Sequence, residues 1–396
     1  MSDDTELRVL LVDPSLFTAP YDAALTEGLK SAGVRPTWAV RPRRAADRQE
    51  LPADVSEPLF YGWIERQTRL SPKLRTLAKG LSHAWGLGKL VQRVIQSKPD
   101  VVHFQWVVVP PLDSLAMLLL ATFCPLVLTV HDTVPYNGDR MSWLQRWGFE
   151  LPLRICDRII VHTQAGRDAL LARGLSPEKL RVIPHGALPL REAPSAAALT
   201  RPADGLYRFV SFGELKQYKG LDVLVDALAL MPEQTRTKAR VIIAGRPRMD
   251  LAPLLSRIDR LGLTDLVELR ARRLPEPEMA DLFHLADCFV FPYRQIDASG
   301  VYFLVKSLRK WLIASRVGVF AEDIRDGAQG QLVPVADAHA LAEAMTAAVE
   351  GQREPEPAGA DTDWADIGRA TGALYRDLRA RRAISPGASA PAGASP

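Results

Sequence analysis

Between Ser211 and Gly220 the chain reads SFGELKQYKG, with two ammonium groups, Lys216 and Lys219, just ahead of the apolar run LDVLVDALALM. Tyr207 to Val210 reads as a strand and the apolar run as a helix. Gly213, at the strand's end, lets backbone approach a ligand closely. Ammonium groups beside a helix N-terminus suit a diphosphate. An isolated Lys-x-x-Lys in a polar loop is ordinarily just solvated; the strand–turn–helix setting is what favours chemistry. A second such element follows as CFVFPYRQ, IDASG and VYFLVKSL. Two of them in one half of the chain suggest a doubly wound sheet that grips a nucleotide diphosphate at the carboxyl ends of its strands.

The elements that must position these groups recur along the whole chain. ELRVLLVD, DAALTEGLKSAG and RPTWAV open the first half as strand, helix, strand, and Arg41 to Pro58 reads as a polar loop. DVVHF, PLVLTVH, RIIVH and LRVIPHG are continuous apolar strands of the kind that fill a parallel sheet covered on both faces. YRFVSFG, ARVIIAG, LVELRA, CFVFP, LIAS and LVPV repeat the pattern between helices. The aperiodic Pro/Ala stretch from Gly186 to Asp204 reads as an interdomain linker. The expected organisation is a first domain over 1–190, a linker over 191–204, a second domain over 205–352, a helix over 361–383 and a low-complexity, disordered tail over 384–396.

Composition is that of a soluble globular protein: 396 residues, 47% hydrophobic, 24% charged, formal charge +4. Three scattered cysteines without a Cys/His cluster point to neither a disulfide frame nor zinc, and to a reducing, cytoplasmic compartment. The acidic N-terminus runs straight into a strand, unlike a signal peptide. The longest apolar run, Leu115 to Val130, contains Pro125 and falls short of the ~20 residues that span a bilayer; it reads as a buried helix and a buried strand. Residues 60–98 carry eight Lys/Arg and one acid, with Leu70, Leu74, Leu77, Leu81, Trp85 and Leu90 at helical spacing. That segment fits either an anionic membrane surface or a helix whose stripe faces its own core. No other feature favours nucleic acid.

Taken together, FGELKQYKGLDVLVDAL, VIIAG and FPYRQIDASGV resemble the sugar-donor half of GT-B glycosyltransferases of the retaining family 4 type, and PDVVHFQW, LVLTVHDTVPYNG, RIIVHTQAGRDALLARG and SPEKLRVIPHG resemble its acceptor-side domain. The resemblance covers roughly Leu7 to Val349. It implies two Rossmann-like domains with parallel sheets facing a central cleft, a last helix that crosses back to the first domain, a nucleotide-sugar as substrate, and neither metal nor cofactor. Lys219 and Lys216 then stabilise the departing diphosphate, with N–H groups near Gly213 and at Ser299, Gly300 and Val301 assisting. Lys216 stands where the family mostly has Arg.

By the same resemblance Asp297 takes the place of the first glutamate of the family's Glu-x7-Glu motif and meets sugar hydroxyls, although an Asp before a helix is also a good cap. His131 contacts the transferred sugar, and Asp132 beside it reads either as acceptor-side or as part of a turn. Arg273 and Leu274 occupy the base-binding place, and Arg246 is comparable; both arginines also fit a solvated edge. Tyr21 and His103 are acceptor-side candidates, while His162 and His185 read as satisfying backbone groups. Three departures stand out. Val305 replaces the second glutamate, DPSLFTAPYDAAL replaces a Gly-Gly loop, and Lys310-Trp311 sits near the expected cleft edge. The expected activity is retaining transfer of a sugar to a glycan or lipid-linked glycan in cell-surface or exopolysaccharide synthesis. The alternative is a non-catalytic GT-B partner of an active transferase.

Overall fold

The computed structural model describes residues 6–44, 47, 51–66, 71–133, 148–190, 192–200, 202–351, 356 and 363–384. Arg69, Leu70, most of the stretch 352–362 and the tail beyond Ile384 lie outside the described residues. The chain forms two compact units, the second beginning at Ala187 and the first resuming with the C-terminal helix, Trp364–Ile384. Each is built on one parallel sheet.

The first sheet runs β3-β2-β1-β4-β5-β6-β7, with β1 Leu7–Asp13, β2 Val34–Val40, β3 Ser56–Pro58, β4 Val101–Phe104, β5 Leu126–Val130, β6 Arg158–Val161 and β7 Leu180–Val182. Successive side chains of a strand point to opposite faces, so a strand apolar throughout needs cover on both. Leu7, Val9 and Leu11 face helix α1 (Ala19–Ser31) and the C-terminal helix, whereas Leu10 and Val12 join the cluster under helices α2 (Pro72–Ser97) and α3 (Pro110–Ala121). The C-terminal helix crosses α1 at Gly28 and Gly368, where a Cβ on either glycine would strike the other helix's backbone. Strand β3, inside the expected loop 41–58, pairs its Ser56 with Trp38; Ser-Glu-Pro at a sheet edge carries no apolar alternation to reveal it.

The apolar run from Leu115 is not a wholly buried helix. Ala116, Met117 and Leu120 enter the core, but Leu115, Leu118, Leu119 and Phe123 are exposed. On α2, Leu87, Leu90 and Val94 face inward while Leu74, Leu77 and Leu81 face outward, and Trp85 is 65% exposed. The stripe of α2 therefore does not serve its own core alone. The two helices are joined by His83, whose Nε2 lies 2.8 Å from Asp113 Oδ1 and whose Nδ1 lies 3.0 Å from the Tyr61 hydroxyl.

The second sheet runs β10-β9-β8-β11-β12-β13, with β8 Tyr207–Phe212, β9 Ala239–Ala244, β10 Val267–Arg270, β11 Cys288–Phe291, β12 Trp311–Ser315 and β13 Gly330–Val333. Phe209, Val241, Ile243, Val290 and Ile313 fill its core. Trp311 belongs to that core, since it opens β12 at the amino end of the strand, and Lys310 beside it donates to the His284 carbonyl at 2.9 Å. The expected place of these two near a ligand cleft is thus corrected: ligands of such sheets meet the carboxyl ends. Within the expected linker a helical turn, Ala196–Leu199, packs on the helix Glu276–Leu285, and Ser195 binds Asp281 through its N–H at 2.6 Å and its hydroxyl at 2.9 Å.

Candidate active site

In the second unit the strand order reverses between β8 and β11, the place where a doubly wound sheet opens a crevice. The segments after both strands carry the charged and helix-opening residues. Gly213 leaves β8 at φ +110°, a conformation that suits glycine, and its carbonyl lies against Gly245 after β9. Lys219 folds back beneath this turn. Its Nζ donates to the Phe212 carbonyl at 3.1 Å and lies 5.2 Å from the centre of the Tyr293 ring. Its residue is only 5% exposed, and burial pulls the ammonium pKa down to about 7, opposed by Glu214 and assisted by Lys216. A buried cation held by one carbonyl and an aromatic face is short of counter-charge, which is the condition for strong attraction to an anion.

Glu214 gathers the other cations. Lys216 Nζ lies 3.7 Å from it, Arg248 Nε donates to it at 3.1 Å, and Arg246 also binds it. One carboxylate among three cations leaves net positive charge after β8 and β9. The helix Leu221–Leu230 opens at Gly220, and its first-turn Asp222 is clamped by Arg294 at 3.0 and 2.7 Å, which ties the segments after β8 and β11 together.

After β11, Ser299 caps the helix Gly300–Lys306, its hydroxyl accepting from Tyr302 N–H at 3.3 Å. Asp297 is therefore not the cap. It is half-buried two residues earlier, with its carbonyl accepting from Val319 N–H at 2.9 Å. Val305 is wholly buried, and Lys306 pairs with Asp323 at 2.9 Å. Leu274 is buried and Arg273 exposed after β10, while neighbouring Arg272 pairs with Glu278.

In the first unit four histidines gather at the carboxyl ends of β4 to β7. His103 lies inside the sheet with both ring nitrogens occupied, Nδ1 at 2.5 Å from the Tyr375 hydroxyl and Nε2 at 2.8 Å from Thr129 Oγ1. Tyr21 is equally buried, in the first turn of α1, its ring packed against His131, His162, His185 and Trp364. Neither side chain is open to an acceptor, and the acceptor-side expectation for both is corrected. In place of a Gly-Gly loop, Asp13 pins the segment after β1 by accepting from Ser15 and Thr18 N–H, each at 3.2 Å. His131 follows β5, stacked on Trp106 at 4.9 Å, with the half-buried Asp132 next to it. Burial first, then the neighbouring His162, His185 and His103, hold its pKa well below the usual histidine value.

Of the residues named from the sequence, Gly213, Lys216 and Lys219 lie together after β8, and His131 lies at the end of β5 in the first unit. Glu214, Arg248 and the Asp222–Arg294 clamp join them there, and they carry no spacing that singles them out in the sequence.

Two doubly wound parallel-sheet units, one ending β8 in a glycine turn over a buried lysine, define the GT-B architecture. Residues 23–187 match the Glycosyltransferase Family 4 model and residues 207–350 the Glycosyl transferases group 1 model, and the chain belongs to this family of transferases. It is 25% identical, over 90% of its own length and 87% of the relative's, to a GDP-mannose:glycolipid 4-beta-D-mannosyltransferase of Xanthomonas campestris. A D-inositol 3-phosphate glycosyltransferase of Thermobispora bispora is 29% identical over 53% of each chain, so the match spans about half of that protein. An MMP alpha-(1->4)-mannosyltransferase of Mycolicibacterium hassiacum is 25% identical over 65% of this chain and 66% of that one. Among solved structures, HepE of Anabaena in complex with UDP-glucose aligns over 96% of this chain and 99% of its own with a TM-score of 0.64 at 18% identity. WaaG, from lipopolysaccharide biosynthesis, aligns over 96% and 100% with a TM-score of 0.59 at 15% identity.

Proposed function

We propose that this glycosyltransferase moves a hexose, with retention of configuration, from a nucleotide-activated sugar to a glycan or lipid-linked glycan in cell-surface or exopolysaccharide synthesis. The observation that carries the proposal is Lys219, a buried ammonium beneath the β8 glycine turn. Cleaving the sugar–phosphate bond shifts negative charge onto the diphosphate, and a preorganised cation there favours the transition state. Lys216, Arg246 and the N–H groups at Ser299, Gly300 and Val301 assist. Asp297 and His131 take sugar hydroxyls, and the segment of Arg273 and Leu274 takes the base. The relative that acts on a glycolipid and the neighbour that holds UDP-glucose support this class of substrates.

The test is turnover with UDP-, GDP-, ADP- and TDP-sugars after a thermal-shift screen, since a ligand bound only by the native state raises its stability. Lys219→Ala that turns over like wild type sinks the mechanism. The anomeric configuration of the isolated product decides retention.

We also propose that the protein sits on an anionic membrane face, on its cytoplasmic side, with α2 and α3 against the lipid. No helix among the described residues is long and apolar enough to cross a membrane. Instead α2 turns Lys73, Arg75, Lys79 and Lys89 outward beside its exposed leucines and Trp85, and the outward face of α3 is apolar. Apolar area plus cations is the composition that binds acidic headgroups. Binding to vesicles containing phosphatidylglycerol, weakening as salt shortens the Debye length to ~8 Å, is expected. Indifference to such vesicles at low salt overturns it.

A further inference from the structure

Five side chains of the first unit make one continuous hydrogen-bond chain, and its end fixes every proton in it. His162 Nδ1 lies 3.0 Å from the Ile183 carbonyl. A carbonyl only accepts, so His162 Nδ1 carries a proton. Burial keeps this imidazole neutral, with a pKa of about 4, and its Nε2 is therefore bare. That Nε2 lies 3.2 Å from His131 Nδ1, and two bare nitrogens cannot face each other, so His131 Nδ1 is a donor. His131 is neutral for the same reason of burial, which leaves its Nε2 bare.

Gln105 Oε1 stands 3.2 Å from His131 Nε2 and Gln105 Nε2 3.4 Å from His103 Nε2, an orientation that turning the amide end for end would reverse without moving another atom. Which end of an amide is oxygen follows from the network around it. Here only the NH2 end satisfies a bare nitrogen, and the oxygen then turns to His103 Nε2, 3.4 Å away on the other side. His103 in turn donates from Nε2, also towards Thr129, and accepts the Tyr375 hydroxyl at Nδ1. Every member is satisfied, and all protons run in one direction from Tyr375 to Ile183. Trp106 stacked at an interplanar 13° and Tyr21 edge-on at 5.0 Å hold the plane of the His131 ring.

We infer that Gln105 and His162 are positioning residues that lock His131 into one neutral tautomer, proton on Nδ1 and lone pair on Nε2, so that His131 recognises a sugar hydroxyl only by accepting its hydrogen bond. The last clause rests on the glycosyltransferase reading above; the tautomer does not. A hydroxyl arriving at Nε2 replaces the Gln105 N–H, which keeps that nitrogen satisfied between turnovers. His131 in this form can neither give a proton nor stabilise a departing anion, and that work stays with the lysines.

The test uses full-length protein with 15N-labelled histidine and long-range proton–nitrogen correlation spectra at neutral pH, assigned by single-histidine variants. His131 and His162 are each expected to show a protonated Nδ1 and a bare Nε2. His162→Phe keeps the ring but removes the acceptor, and His131 then averages between tautomers. Gln105→Glu offers only oxygen, and His131 answers by taking a second proton. Both variants are expected to lower kcat about tenfold, the worth of one hydrogen bond, with unchanged affinity for the nucleoside diphosphate. A wild-type His131 protonated at Nε2, or charged, overturns the tautomer. The expected spectra with wild-type kcat in both variants overturn the sugar contact. No transfer from any nucleotide-sugar defeats the glycosyltransferase reading, while the spectra still decide the tautomer.

Discussion

The Lys219 ammonium lies directly under Gly213: a Cβ added at residue 213 would stand 2.6 Å from Nζ and 2.9 Å from Val301 Cγ2. Gly213→Ala therefore has to displace the lysine or the turn, on top of the strain of a side chain at φ +110°, of order 1–3 kcal/mol. Titration calorimetry with UDP and GDP is expected to show at least a tenfold loss of affinity in Gly213→Ala. Wild-type affinity would mean that the turn and the lysine do not form one phosphate site.

Lys219 is also a test of stability traded for function. Replacing it by methionine keeps most of the volume and removes a charge from a buried place, so Lys219→Met is expected to melt no lower than wild type at neutral pH. Its kcat should nevertheless fall by roughly 10²-fold, on the scale of losing one charge-stabilising group. A variant that is both less stable and fully active contradicts both halves of the assignment.

The same residue predicts proton traffic. Its folded pKa of about 7 lies below its ordinary value of 10.5. Between those values the unfolded chain holds a proton that the folded chain lacks, so this residue makes stability rise with pH across that window, and below pH 7 the fold bears a buried charge. A diphosphate beside Lys219 favours the charged form and raises the pKa again. Nucleoside diphosphate binding near pH ~8.5 is thus expected to take up a proton, seen as a binding enthalpy that varies with the ionisation enthalpy of the buffer. A buffer-independent enthalpy, or one that varies equally in Lys219→Met, refutes it.

What the sequence disclosed follows a physical line. Strands buried on both faces are apolar throughout, so LRVLLVD, VIIA and CFVF announce themselves, and a glycine turn between strand and helix marks Lys219 as a candidate phosphate ligand. Burial by distant parts of the chain is invisible locally. Tyr21 and His103 are closed off by Trp364 and Tyr375 of the C-terminal helix, and nothing in HFQW or APYD signals that cover. Periodicity also cannot say whether an apolar stripe has a partner, which is why the outward side of α3 was hidden within a run that looked like core. Ser299, and not Asp297 as the alternative reading had it, is the cap because its hydroxyl stands at the helix opening, a matter of two residues that pattern alone does not settle.

Two glycines two residues apart in α2, on opposite faces of the helix, predict opposite effects of one substitution. A Cβ on Gly86 would strike the ring of Phe60, a fully buried side chain with no room to retreat, whereas around Gly88 nothing lies within 4 Å. Gly88→Ala is expected to stabilise by roughly 0.5–1 kcal/mol, because alanine lowers the backbone entropy of the unfolded chain and is the better helix former. Gly86→Ala gains the same term but has to push Phe60 out of place, an overpacking cost of typically 1–3 kcal/mol, so its sign reverses. Since the two units need not melt together, the measurement is amide exchange in α2 under native conditions, which reports the local opening free energy. Slower exchange in Gly88→Ala and faster exchange in Gly86→Ala is the expected pair. Equal shifts in one direction would mean that α2 does not seat against Phe60.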